Sequence, residues 1–126
     1  MNKIFLLLAF LTASYAVPAF TPVQPAMAAA GMSKLGDLSA MRDIVKDTLA
    51  LVEAGNREAA IQRITDYETA WDENASNLRK LDTETWRKLD DASDVALSSV
   101  RYLPATLDEM RKDLGGLIAL LDDPAL

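Results

Sequence analysis

Apolar residues recur along most of this chain at intervals of three and four, the spacing that gathers them on one face of an α-helix. Four such stripes can be read. Over 38–54 the stripe is Leu38, Met41, Ile44, Val45, Leu51 and Val52, and over 57–79 it is Ala60, Ile61, Ile64, Tyr67, Trp71, Ala75 and Leu78. A third stripe, ending near 103, holds Trp86, Leu89, Ala92, Ala96, Leu97 and Val100; a fourth holds Leu107, Met110, Leu114, Leu117, Ile118 and Leu121. No run alternates apolar and polar residues with the period of a strand, and no Asn-Gly hairpin signal is present.

Each break between stripes has a chemical cause. Asp37 is expected to cap the first helix by accepting backbone N–H bonds, and Gly55 to end it in a left-handed conformation. Asn56 is expected to cap the second helix, and Asp82 or Thr83 the third. Pro104 ends the third, because proline disfavours helix at the residue before it. Thr106-x-x-Glu109 is a capping box and gives the fourth helix the clearest start. Weak points are expected at 74–77 in the second helix and at Gly115-Gly116 in the fourth, and Pro124 closes the chain. Amphipathic helices joined by short links run antiparallel to their neighbours and bury their stripes together. The expected fold is therefore all-α, an antiparallel up-down four-helix bundle over 37–126. The alternative is a three-helix bundle with the fourth helix docked loosely or used for dimerisation. The Ala54-Gly55-Asn56 turn resembles half of a tetratricopeptide unit, but the period of roughly 34 residues does not recur.

Residues 1–28 read as a secretory signal peptide. Lys3 supplies the positive start, the apolar run from Ile4 to Leu11 follows, and small-x-small sites end at Ala16 and Ala28. Cleavage after Ala28 is favoured by Pro25, which breaks the chain before a run of small residues; Ala16 lies nearer the apolar run. Residues 29–36 are expected as a flexible lead-in. Removal of the leader takes Lys3 with it and moves the net charge from −6 to −7. Such acidity repels phosphate backbones and anionic lipid, so nucleic acid is not an expected partner. The chain has no Cys and no His. Disulfides, zinc-finger sites, covalent haem attachment and a His-dependent nucleophile are thereby excluded. Met41 and Met110 are too few and too far apart for a copper site.

Three polar residues lie on or beside the apolar stripes: Thr48, Glu68 and Ser93. A carboxylate at the inner edge of a bundle needs a partner, so Glu68 is expected to sit at a seam and pair with an Arg or Lys. Glu68, Asp72 and Glu73 are expected to face Asp90, Asp91 and Asp94 as a solvated acidic surface, with a hard-cation site as the sharper alternative. Trp71 and Trp86 are expected as core anchors, with an aromatic wall for a ligand as their alternative role. Together Glu68, Trp71, Asp72, Trp86 and Asp90 make a candidate ligand or partner seam between the second and third helices. No catalytic residue, cofactor-binding residue, metal ligand or cofactor is expected.

Glu68-x-x-Trp71-Asp72, followed by Leu78, Asp82, Trp86, Asp90 and Ala96-Leu97-x-x-x-Arg101, resembles a group of small exported bacterial helical proteins and periplasmic domains of unassigned function. The likeness spans roughly 43–121. It implies an extracytoplasmic helical module and assigns no catalytic role. The expected protein is a periplasmic, non-enzymatic accessory module, monomeric or weakly dimeric. Its expected partner is an envelope protein, and no stable membrane span remains once the leader is cleaved.

Overall fold

The computed structural model describes residues 33–126 apart from Leu103. The signal-peptide reading and residues 29–32 of the expected lead-in lie outside the described residues. Four α-helices follow one another: α1 Ser39–Glu53, α2 Arg57–Leu81, α3 Thr83–Arg101 and α4 Leu107–Asp122. The described residues contain no strand.

The helices form a closed ring in which α1 packs on α2, α2 on α3, α3 on α4, and α4 back on α1. The fourth helix is thus a full wall of the bundle, which removes the three-helix alternative. The antiparallel sense can be read from cross-helix bonds. Arg42 near the start of α1 meets Asp122 at the end of α4 at 2.8 Å, while Glu53 at the end of α1 meets Arg111 near the start of α4 at 3.3 Å. The interior is one continuous apolar cluster. Val45, Ile64, Tyr67, Leu89, Val100, Leu114 and Leu117 are its solvent-free centre, and Met41, Val52, Trp71, Leu78, Met110 and Leu121 enclose them. Of the expected stripes, Ile44, Leu51, Ile61, Ala75, Trp86, Ala92, Leu97 and Ile118 are only half-buried, and Leu107, in the first turn of α4, is exposed.

The helix ends follow local hydrogen-bond chemistry. At the end of α1 the Gly55 N–H bonds to the Val52 carbonyl and the Asn56 N–H to the Leu51 carbonyl, with Gly55 at φ +75°. This is a Schellman stop, which needs a residue without Cβ strain. The Asn56 side chain then accepts from the Ala59 N–H at 3.1 Å to start α2. Asp82 alone separates α2 from α3. It sits in extended conformation, and its carboxylate accepts from the Thr85 N–H at 2.8 Å. The capping box of α4 is complete: the Thr106 N–H donates to Glu109 at 2.6 Å, and the Glu109 N–H to the Thr106 hydroxyl at 3.2 Å.

Four sequence expectations are corrected. Leu38, not Asp37, occupies the N-cap position of α1; Asp37 sits one residue earlier and accepts from the Ser39 N–H at 2.9 Å. Helix α2 runs unbroken through 74–77, where a weak point is expected, and on to Leu81; Asn74 donates to the Ala70 carbonyl at 2.8 Å. Helix α3 ends at Arg101, two residues before its expected limit. Residues 33–36 are not a loose lead-in: they close a turn through the Gly36 N–H and the Ser33 carbonyl, and Leu35 is only 2% exposed. The physical reason lies in helix length. With 25 residues, α2 outruns the 15 of α1, and Leu35 and Leu38 join the core beside the α2–α3 tip, where Lys34 reaches Asp82 at 3.6 Å.

Glycines at two kinds of position give opposite expectations. A Cβ at Gly116 meets nothing within 4 Å and φ is not left-handed. Gly116→Ala therefore stabilises by about 0.5–1 kcal/mol through helix propensity. Gly55→Ala places an L side chain at positive φ and destabilises by roughly 1 kcal/mol. Urea unfolding of the two variants against the parent checks the signs.

Candidate seam between the second and third helices

Polar side chains enter the α2–α3 seam at three levels. At the innermost, the Tyr67 hydroxyl and Ser93 Oγ are 2.7 Å apart, and Ser93 Oγ bonds the Leu89 carbonyl at 2.7 Å. Ser93 donates to that carbonyl, so Tyr67 donates to Ser93 and every polar atom of the relay is satisfied. Burial holds the Tyr67 phenol well above its ordinary titration range, because the phenolate would lose hydration with no cation to replace it. One turn along α2, Trp71 lies nearly parallel to Tyr67, with ring centroids 6.3 Å apart. Its indole N–H donates to Asp90 Oδ1 across the seam at 2.8 Å.

At the outer edge, Arg101 holds Glu68 with two bonds, at 2.5 and 3.2 Å, and also reaches the Thr65 hydroxyl at 3.1 Å. The guanidinium draws the Glu68 carboxyl below its ordinary value. Both side chains remain about one-third exposed, and pairs so placed contribute on the order of 0.2–1 kcal/mol. Arg57, at the start of α2, donates to the Val100 carbonyl at 3.0 Å and to the Tyr102 carbonyl. It thereby satisfies carbonyls that the end of α3 leaves without helical partners.

The five seam residues proposed from sequence do not form one site. Glu68, Trp71 and Asp90 do lie along this seam, but each is bonded within the fold. Asp72 is exposed, not in the seam, because it follows Trp71 by 100° of helix rotation. Trp86 is half-buried near the α2–α3 tip, with the Arg79 guanidinium 5.4 Å from its ring centroid and its buried indole nitrogen unpartnered. The facing arrangement of two acidic groups is also corrected: Glu68 turns to Arg101, and Asp90 to Trp71. Among the described residues, no three Asp or Glu side chains converge as a metal site. Arg57 had no role in the sequence reading. An Arg at a helix start is an unremarkable surface residue until the neighbouring helix end is known.

A second concavity lies elsewhere. Between α3 and α4 an open groove of about 630 Å³ has Asp94, Val95, Ser99, Ala105, Lys112 and Asp113 among its lining residues. Ser99 is 7% exposed, and its hydroxyl has no hydrogen-bond partner. The other two buried hydroxyls, Thr48 and Ser93, both bond the carbonyl one turn back.

The titrating groups predict the pH profile of stability. The carboxyls of Asp37, Glu68, Asp82 and Glu109 are all held below their ordinary values by N–H, hydroxyl or guanidinium donors. As pH falls the unfolded chain takes up these protons first, so stability is full above about pH 4.5 and declines below it. Tyr67 acts in the opposite sense: its folded value is raised, so its contribution is present below its ordinary value of 10.0 and is lost as pH rises beyond it. With no His or Cys, the melting temperature stays level from roughly pH 6 to 8. Urea unfolding from about pH 3 to 11 checks the plateau and both limbs. Tyr67→Phe is expected to flatten the alkaline limb and leave the acid limb in place.

Comparisons of the chain with family models, with curated proteins and with solved structures gave no match.

Proposed function

We propose that this chain is an exported, non-enzymatic helical module that works by binding an envelope protein in the periplasm. The observation that carries this reading is the state of the α2–α3 seam. Its polar atoms, from the Tyr67 hydroxyl to the Glu68 carboxylate, serve as mutual partners that lock two helices together. A reactive centre keeps such groups poised for substrate; here they hold structure. The leader read from residues 1–28 and the resemblance carried by Glu68, Trp71, Asp72, Trp86 and Asp90 point toward the same compartment. Among the described residues no helix is long and apolar enough to cross a membrane.

The rival reading, a small ligand or metal cation held between α2 and α3, would require Asp90 and Glu68 to leave Trp71 and Arg101. Two measurements separate the readings. The chain without residues 1–28, immobilised and exposed to detergent-solubilised envelope, is expected to retain a specific partner protein; none retained contradicts the interaction role. Melting with calcium, magnesium, iron or haem is expected to give no shift. A ligand at one hundred times its dissociation constant would add about 2.7 kcal/mol, a rise of several degrees for a domain of this size.

A further inference from the structure

We propose that the α3–α4 groove is where this module receives its partner, and that the partner presents a lysine or arginine side chain to it. The inference deepens the interaction reading above and rests on it. The groove combines three features. Val95, Pro104 and Ala105 give it an apolar lining, and Val95 is half-exposed although it projects from a helix. Asp94 and Asp113 border it from opposite helices, and neither carboxylate has an ion-pair or hydrogen-bond partner among the described residues. Eight other acidic side chains of this protein do hold an Arg or Lys: Asp43, Asp47, Glu53, Asp66, Glu68, Asp82, Asp108 and Asp122. Glu109 caps α4, and Asp82 caps α3 as well as meeting Lys34.

The third feature is Ser99. It lies on α3 one turn beyond Val95, is more than nine-tenths buried, and leaves its hydroxyl unbonded where Thr48 and Ser93 turn theirs back on the helix. A buried hydroxyl without a partner is costly and calls for one. Lysine and arginine match this set of groups. Each lays an alkyl stem on apolar surface and carries a cation with several donors at its tip. Two unpaired carboxylates receive the charge, and the enclosed Ser99 hydroxyl lies within the layer of lining residues without a partner. Lys112 shares the lining, but Asp94, Glu109 and Asp113 outnumber it and leave the groove negative.

The test uses the chain without residues 1–28 and two blocked peptides, acetyl-Leu-Lys-Leu-amide and its Glu counterpart. Amide chemical shifts are followed by NMR. The lysine peptide is expected to give saturable changes at Val95, Ser99 and Ala105, with a dissociation constant on the order of millimolar; the Glu peptide gives none. The double variant Asp94→Asn/Asp113→Asn weakens the lysine peptide about tenfold or more, with an unchanged melting temperature, since neither carboxylate is bonded in the fold. Ser99→Ala also weakens it without lowering the melting temperature. Absence of saturable shifts, or equal binding of both peptides, overturns the groove. So does a partner protein retained equally by the parent and the Asn double variant. That last outcome leaves the interaction reading intact, whereas failure to retain any envelope protein overturns the interaction reading itself.

Discussion

Burying the Tyr67 hydroxyl is the constraint on which this bundle depends. A phenol at the centre of four helices can be accommodated only if its polar atom is matched, and the match comes from another helix. Ser93 supplies it and passes the bond on to the Leu89 carbonyl. That relay fixes the register of α2 against α3, and the Trp71–Asp90 bond repeats the same register one turn along. A slip along the seam would leave a hydroxyl or an indole N–H buried without a partner, at a cost of about 1–3 kcal/mol each. The single-residue link at Asp82 agrees with that register: it leaves the two helices no slack, and its own carboxylate caps the second of them. Around this hairpin α1 and α4 contribute mainly apolar bulk, with ion pairs at both ends of their mutual seam.

Much of the fold is legible in the residue order because it rests on local rules. Helix spacing, the Gly55 stop, the Asn56 cap and the Thr106–Glu109 box each involve residues within a turn or two of one another. What the sequence conceals is set by distance in the chain. Leu35 reads as part of a small-residue lead-in, and only the excess length of α2 over α1 explains its place in the core. Asp90 reads as one acid among three on the outside of a helix; its bond to Trp71 depends on the rotation of two helices that the pattern does not give. The seam site was legible in membership for Glu68, Trp71 and Asp90, and in the pairing of Glu68 with a basic residue. Asp72 belongs to the solvent face, and Trp86 lies apart near the hairpin tip.

The distribution of satisfied and unsatisfied polar groups also organises the functional reading. Between α2 and α3 the Tyr67, Ser93 and Trp71 polar atoms are paired, which suits a seam that holds the bundle in one register, and the Trp86 indole nitrogen near the tip is the exception. Between α3 and α4 a buried hydroxyl and two carboxylates lack partners around a groove that is already open. Helix α3 thus carries Asp90 and Ser93 to partners on α2, and Ser99, roughly 120–180° further round, to the side of α4.

The central claim, that the α2–α3 polar seam exists to hold the fold, is tested most directly by a double-mutant cycle on Trp71 and Asp90 read by equilibrium unfolding. Asp90→Ala is expected to destabilise the parent by about 1–2 kcal/mol, and clearly less once Trp71→Phe has removed the N–H donor. An Asp90→Ala protein as stable as the parent, or more stable, would mean that the carboxylate is kept there for something other than the fold, and would contradict the account.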